Sequence, residues 1–180
     1  RAGIPVPVQA NRRNLELIVD LVNLTKPVRL ICLGDLFHSH YNPEWESFGE
    51  LINHFRATSF ELVMGNHDIM SEQQYKRKGI IVHDRLEIDP FILTHHPVES
   101  DETKPQPTGG AWYNLAGHLH PGVTMRGSGR QAVTLPCFHF GEHSGLLPAF
   151  GAFTGLARIK PGKDDKVFVV ADWKIIAVTP

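Results

Sequence analysis

The chain lacks any apolar run near the roughly 18 residues that a membrane-spanning helix requires. Its longest apolar stretches, such as Leu30 to Leu33 and Val167 to Ala171, are short. It also lacks an excess of either charge. The 18 Lys and Arg against 19 Asp and Glu give a formal net charge of -1, so no global field draws it to nucleic acid or to an anionic membrane. Cysteine is scarce. Cys32 and Cys137 both stand in apolar surroundings and read as buried, reduced thiols, from which a cytoplasmic location is expected. The opening Arg1-Ala-Gly-Ile-Pro-Val-Pro-Val8 carries no secretory apolar core and no methionine, so a processed, trimmed or omitted N-terminus is expected. Neither an internal repeat nor a low-complexity tract is present.

What remains is 180 residues of ordinary composition, 42% hydrophobic, enough for one domain spanning 1–180. Histidine is abundant at 11. Residues 1 to 10 read as an extended arm broken by proline. Asn11 to Thr25 reads as a helix, with Leu15, Ile18, Leu21, Val22 and Thr25 on one face, stopped at Lys26-Pro27. A second helix opens at Pro43, with Trp45, Phe48, Leu51, Ile52 and Phe55 as its apolar face. Ser71 to Lys78 reads as a short polar helix. Strands are expected at Val28 to Leu33, Ser59 to Met64, Ile80 to Val82, Phe91 to Leu93 and Tyr113 to Ala116. Further β-type runs lie at Ala132 to Leu135, Gly155 to Ile159, Val167 to Ala171 and Lys174 to Val178. Residues 98 to 111, rich in Pro, Gly and acid, read as a surface loop.

Four of these strands end in metal-ligating residue types: Gly34-Asp35, Gly65-Asn66-His67-Asp68, Thr94-His95-His96 and Gly117-His118-Leu119-His120. In α/β sheets, ligands collect at the carboxyl ends of strands. Mixed oxygen and imidazole donors suit Mn, Fe or Zn better than Ca or Mg, and the absence of cysteine there argues against a thiolate structural zinc site. A His-x-His just past a strand can straddle two ions with a carboxylate between them, Asp35 being the best candidate. Two such ions lower the pKa of a water held between them and clamp a tetrahedral phosphorus centre.

Gly-Asp, Gly-Asn-His-Asp, His and Gly-His-x-His in this order resemble the calcineurin-like metallophosphoesterase superfamily. Arg1-Ala-Gly-Ile-Pro-Val-Pro7, Leu33-Gly-Asp-Leu-Phe-His-Ser39 and Leu147-Pro-Ala-Phe-Gly-Ala-Phe-Thr-Gly155 are similar to its bacterial DNA-ligase-associated members. The resemblance covers essentially the whole chain. It implies an α/β fold, a four-layer αββα sandwich of two mixed β-sheets. The family's opening Asp-x-His is absent, which implies a missing first strand and an N-terminally incomplete domain.

The resemblance further implies two divalent metal ions, Mn first and Fe or Zn next. Asp35 would bridge them, Asn66, His95 and His118 would complete the second site, and His120 would serve the first. His67 would contact phosphate and protonate the leaving oxygen, with Asp68 orienting it. The expected activity is hydrolysis of phosphodiesters, DNA or a nucleotide, by a metal-bridging hydroxide in DNA repair, with repair proteins as partners and no membrane. The alternative is a non-catalytic or one-metal binding scaffold. His96 reads as a supporting or structural residue. His38 and His40 read equally as substrate contacts or loop residues. His54, His83, His139 and His143 read as structural or surface. Lys76-Arg77-Lys78 and the Arg126/Arg130 pair read as solvated surface.

Overall fold

The computed structural model describes residues 8–37, 43–98, 111–127, 129, 131–151, 154–172 and 174–178. Most of the expected arm, His38, His40, Tyr41, Arg130 and nearly all of the 98–111 loop lie outside them. The chain divides into two compact units. One comprises residues 1–84 with 150–153, the other residues 85–149 with 154–180.

The first unit holds α1 (Val8–Thr25), β1 (Arg29–Cys32), α2 (Pro43–His54), β2 (Ser59–Val63), α3 (Glu72–Arg77) and β3 (Ile80–His83). Residues 8 to 10 belong to α1, so the helix begins three residues before the predicted start. Ile18 and Val22 are buried on it, and Leu15 and Val19 pack beside them. Leu21 and Thr25 face solvent instead. A 3.6-residue period carries Leu21 away from the stripe that Ile18 and Val22 share. Lys26 ends the helix in the left-handed region (φ 45) before Pro27 blocks continuation. The α2 face matches expectation: Trp45, Phe48 and Leu51 are buried, with Ile52 and Phe55 against them. Glu44 and Glu46 sit in its first turn, favourable at the positive end.

Strands β1, β2 and β3 form a parallel sheet in that order. On β2 the side chains alternate. Phe60 and Leu62 enter the core beneath the helices, while Glu61 faces the other way yet is only 4% exposed. Its charge is fully engaged. Arg29 Nε and Nη2 donate to its two oxygens at 2.6 and 2.7 Å, and His83 Nε2 lies 2.8 Å from Oε2. The bidentate Arg29 fork holds the Glu61 carboxyl down to about 2, against the opposing pull of burial.

The second unit is β-rich. It comprises β4 (Leu86–Ile88), β5 (Phe91–Thr94), β6 (Tyr113–Ala116), β7 (Pro121–Arg126), β8 (Ala132–Phe140), β9 (Ser144–Leu146), β10 (Ala157–Arg158), β11 (Lys166–Ala171) and β12 (Lys174–Val178). The nine strands form one mixed sheet. Its order is β10-β7-β8-β9-β6-β5-β4, and β11 joins β8 to β12. Strand β8 runs well past the predicted Leu135. Its first half pairs with β7, and from Cys137 onward it pairs with β11. Cys137 is buried there with Val167 and Val169, and both cysteines are free. Cys32 is part-buried against the core of the first unit. With a parallel sheet in the first unit, a mixed sheet in the second and few helices among the described residues, the chain is of the α/β class.

Because Glu61 titrates well below its ordinary value of 4.5, its contribution is complete above that value and is lost as pH falls toward 2. Chemical denaturation at stepped pH should show about 2–3 kcal/mol of acid-labile stability. Glu61→Gln should flatten that window while lowering stability at neutral pH. An unchanged acid profile in the variant would contradict the assignment.

Candidate active site

Parallel pairing places the predicted ligands side by side within each unit. Cys32 of β1 is in register with Leu62 of β2, so the loops that follow them, 33–37 and 64–70, leave the same sheet edge as neighbours. Likewise Thr94 of β5 is in register with Ala116 of β6, so His95 and Gly117-His118 emerge together.

In the first unit the two loops are joined by one carboxylate. Asp68 Oδ2 accepts the backbone N–H of Asp35 (2.8 Å) and of Gly65 (2.9 Å). Its Oδ1 accepts the N–H of Leu36 (2.9 Å) and Phe37 (3.3 Å) and the hydroxyl of buried Tyr75 (3.0 Å). Asp68 was expected to orient the His67 ring. Its hydrogen bonds go to the backbone of both loops and to Tyr75, so it holds the backbone that carries Asp35. The backbone demands this: three consecutive N–H groups, 35 to 37, point to one place after the strand ends and need a buried acceptor.

Gly34 and Asp35 lie in the left-handed region (φ 86 and 56), which allows the sharp turn out of β1. Gly65 is required by close approach, since a Cβ there would overlap Asp35 Oδ1 and the Asp35 backbone nitrogen. Asp35 Oδ1 in turn accepts the His67 N–H at 3.0 Å. Asn66 and His67 are exposed at the edge, and Asp68 is buried beneath them. Burial and the nearby Asp68 charge push the Cys32 thiol up to about 12, so it stays protonated and unreactive. The same two influences raise the Tyr75 phenol, keeping it a hydrogen-bond donor.

In the second unit the His95 carbonyl accepts the N–H of both Gly117 (3.2 Å) and His118 (3.0 Å), which locks the two strand ends together. His95 Nε2 and His118 Nδ1 are 2.9 Å apart. His96 joins them, and one ligating nitrogen from each of the three rings falls within 4.8 Å of the others. His120 adopts a left-handed turn (φ 46) and is not in that group. Two imidazole nitrogens in hydrogen-bond contact at a strand end form a donor pair that fits a borderline divalent ion such as Zn, Fe or Mn. His83 and His139 each bond a carboxylate, at 2.8 and 2.7 Å, and take structural roles. His96, read from the sequence as a supporting or structural residue, is thus brought beside the His95–His118 pair.

The calcineurin-like phosphoesterase family model matches residues 8–170, and the chain belongs to that family. Among solved structures it is similar to the nuclease MPE of Pseudomonas putida. The likeness has a TM-score of 0.77 and 27% identity, over 98% of this chain and 82% of that one. A second likeness is to an archaeal phosphodiesterase, at TM-score 0.48 and 17% identity over 94% and 93% of the two chains. No curated protein matches. No helix among the described residues is long and apolar enough to cross a membrane.

Asp68→Asn should destabilise the protein by about 2–4 kcal/mol in urea unfolding, because backbone donors would face an amide that cannot accept them all. Tyr75→Phe removes one donor from an acceptor that keeps four others, and should cost only about 1 kcal/mol. Equal losses for the two variants would show that the carboxylate is not the organising group.

Proposed function

We propose that this chain is a divalent-metal phosphodiesterase acting on nucleic acid or a nucleotide, with the whole chain working as one phosphoesterase domain. The observation that carries this reading is the convergence of His95 Nε2 and His118 Nδ1 at 2.9 Å, at a strand end where the family resemblance implies metal ligands. The Pseudomonas putida neighbour is a nuclease, which favours a nucleic-acid substrate. By the family resemblance, Asp35 and Asn66 in the first unit and His95, His118 and His120 in the second are the proposed ligands of divalent ions, with Mn preferred over Fe or Zn. Bound ions of this kind supply charge neutralisation at phosphorus and an acidified water.

The chain's own groups do the rest. His67 is exposed, with its backbone N–H held by the Asp35 carboxylate, and its ring would meet a phosphoryl oxygen and protonate a leaving alkoxide. Asp68 acts from below by fixing the backbone that presents Asp35, Asn66 and His67. A cytoplasmic setting in DNA repair, alongside repair proteins, is the biological context that the family resemblance supports.

With Mn²⁺ and bis(p-nitrophenyl) phosphate, the wild-type chain should turn over, and Asp35→Asn should abolish turnover while leaving the circular dichroism spectrum unchanged. Retained turnover in Asp35→Asn would contradict the assigned role. A wild-type chain inert with Mn, Fe and Zn alike would favour the scaffold alternative.

A further inference from the structure

His96 has no role in the function described above, yet the turn that carries it is bonded to two buried polar side chains. Its neighbours Thr94 and Asn114 are buried polar residues, Asn114 completely so. Asn114 Nδ2 donates to the Ile92 carbonyl (3.0 Å) and to Thr94 Oγ1 (2.8 Å), and its Oδ1 accepts the Val98 N–H (3.2 Å). Thr94 Oγ1 donates in turn to the His96 carbonyl at 2.6 Å. A two-residue bracket thus clasps the turn 95–97 from both sides. Burying an amide and a hydroxyl inside a parallel strand pair is costly unless every group is paired. Here the pairs formed beyond the strands are to the backbone of this turn.

The bracket fixes the backbone, and the side chain goes toward the metal-ligating pair. The His96 ring centroid is 3.9 Å from that of His118 at a 45° tilt, and 4.8 Å from that of His95. The tilt is not that of a flat ring stack. Its ligating nitrogen lies within 4.8 Å of those of His95 and His118, and His96 is exposed where those two are covered or half-covered.

We propose that His96 is a third imidazole ligand of the ion held by His95 and His118, and that Thr94 and Asn114 are positioning residues for it. The proposal rests on the metal-centre reading above. Three nitrogens from one unit give that ion an imidazole-rich face, favouring Zn, Fe or Co over Mg.

The test uses the full chain titrated with Co²⁺, whose visible absorption reports the ligand set. His96→Ala should weaken Co²⁺ binding by about tenfold or more and shift the band. His95→Ala should abolish the band. Thr94→Val should reproduce part of the His96→Ala shift, and Thr94→Ser, which keeps the hydroxyl, should restore the wild-type spectrum. A wild-type band and affinity in His96→Ala, with the band lost in His95→Ala, would overturn the proposal and leave the metal centre standing. If that unchanged spectrum came with weaker inhibition by inorganic phosphate, His96 would belong to the substrate, which equally overturns it as a ligand. No Co²⁺ binding by the wild type, or full binding by His95→Ala, would overturn the metal reading and this proposal with it.

Discussion

The first unit depends on the Asp68 carboxylate. Two loops leave neighbouring parallel strands and must turn sharply to present their side chains at the sheet edge. That turn strands backbone N–H groups at 35, 36, 37 and 65 away from any strand partner. Asp68 accepts all four, and Tyr75 completes the set from a short helix. A single buried anion therefore does what a ladder would do in a strand. It also explains why Gly65 must be glycine, since the loops approach so closely that a Cβ would overlap Asp35. Removing the carboxylate would strand several donors at once, which is why it matters more than any one hydrogen bond it makes.

The second unit solves the same problem with neutral groups. There the His95 carbonyl accepts two N–H groups from the next strand end, and Asn114 and Thr94 clasp the turn beyond it. An anion beneath one loop pair and an amide beneath the other have the same physical result. Side chains of weak intrinsic order are held on a rigid edge, where ligand geometry is set by the sheet rather than by the loops. In both units the register of two parallel strands decides which residues become neighbours.

Much of this was legible in the chain itself. Strands β1, β2, β5 and β6 are apolar runs that stop at a glycine or a polar pair, and each was placed within a residue or two. Helix α2 was legible because Trp45, Phe48, Leu51 and Ile52 keep one face. Strands β4, β7 and β9 were not. Leu86–Ile88 and Ser144–Leu146 are three residues each, and Pro121-Gly122 opens β7 with two turn-forming residues. Pro136 hid the continuity of β8, although it lies at the point where that strand changes partner. The prolines before Val8 likewise masked the start of α1. At the site, residue types pointed to the proposed ligands but not to their supports. Nothing in Gly65-Asn66-His67-Asp68 says that the last residue serves backbone, because that depends on where three N–H groups of a distant loop point. Asn114 reads as an ordinary polar strand position until the turn it holds is seen.

The central claim is that these strand ends form a metal-binding centre anchored on His95 and His118. A crystal of the full chain soaked in Zn²⁺ and measured at the zinc absorption edge tests it directly. The account predicts an anomalous peak about 2.0–2.1 Å from both His95 Nε2 and His118 Nδ1. Those nitrogens would be drawn off their mutual hydrogen bond and onto the ion. A peak elsewhere, with the 2.9 Å His95–His118 contact left as it is, would contradict it.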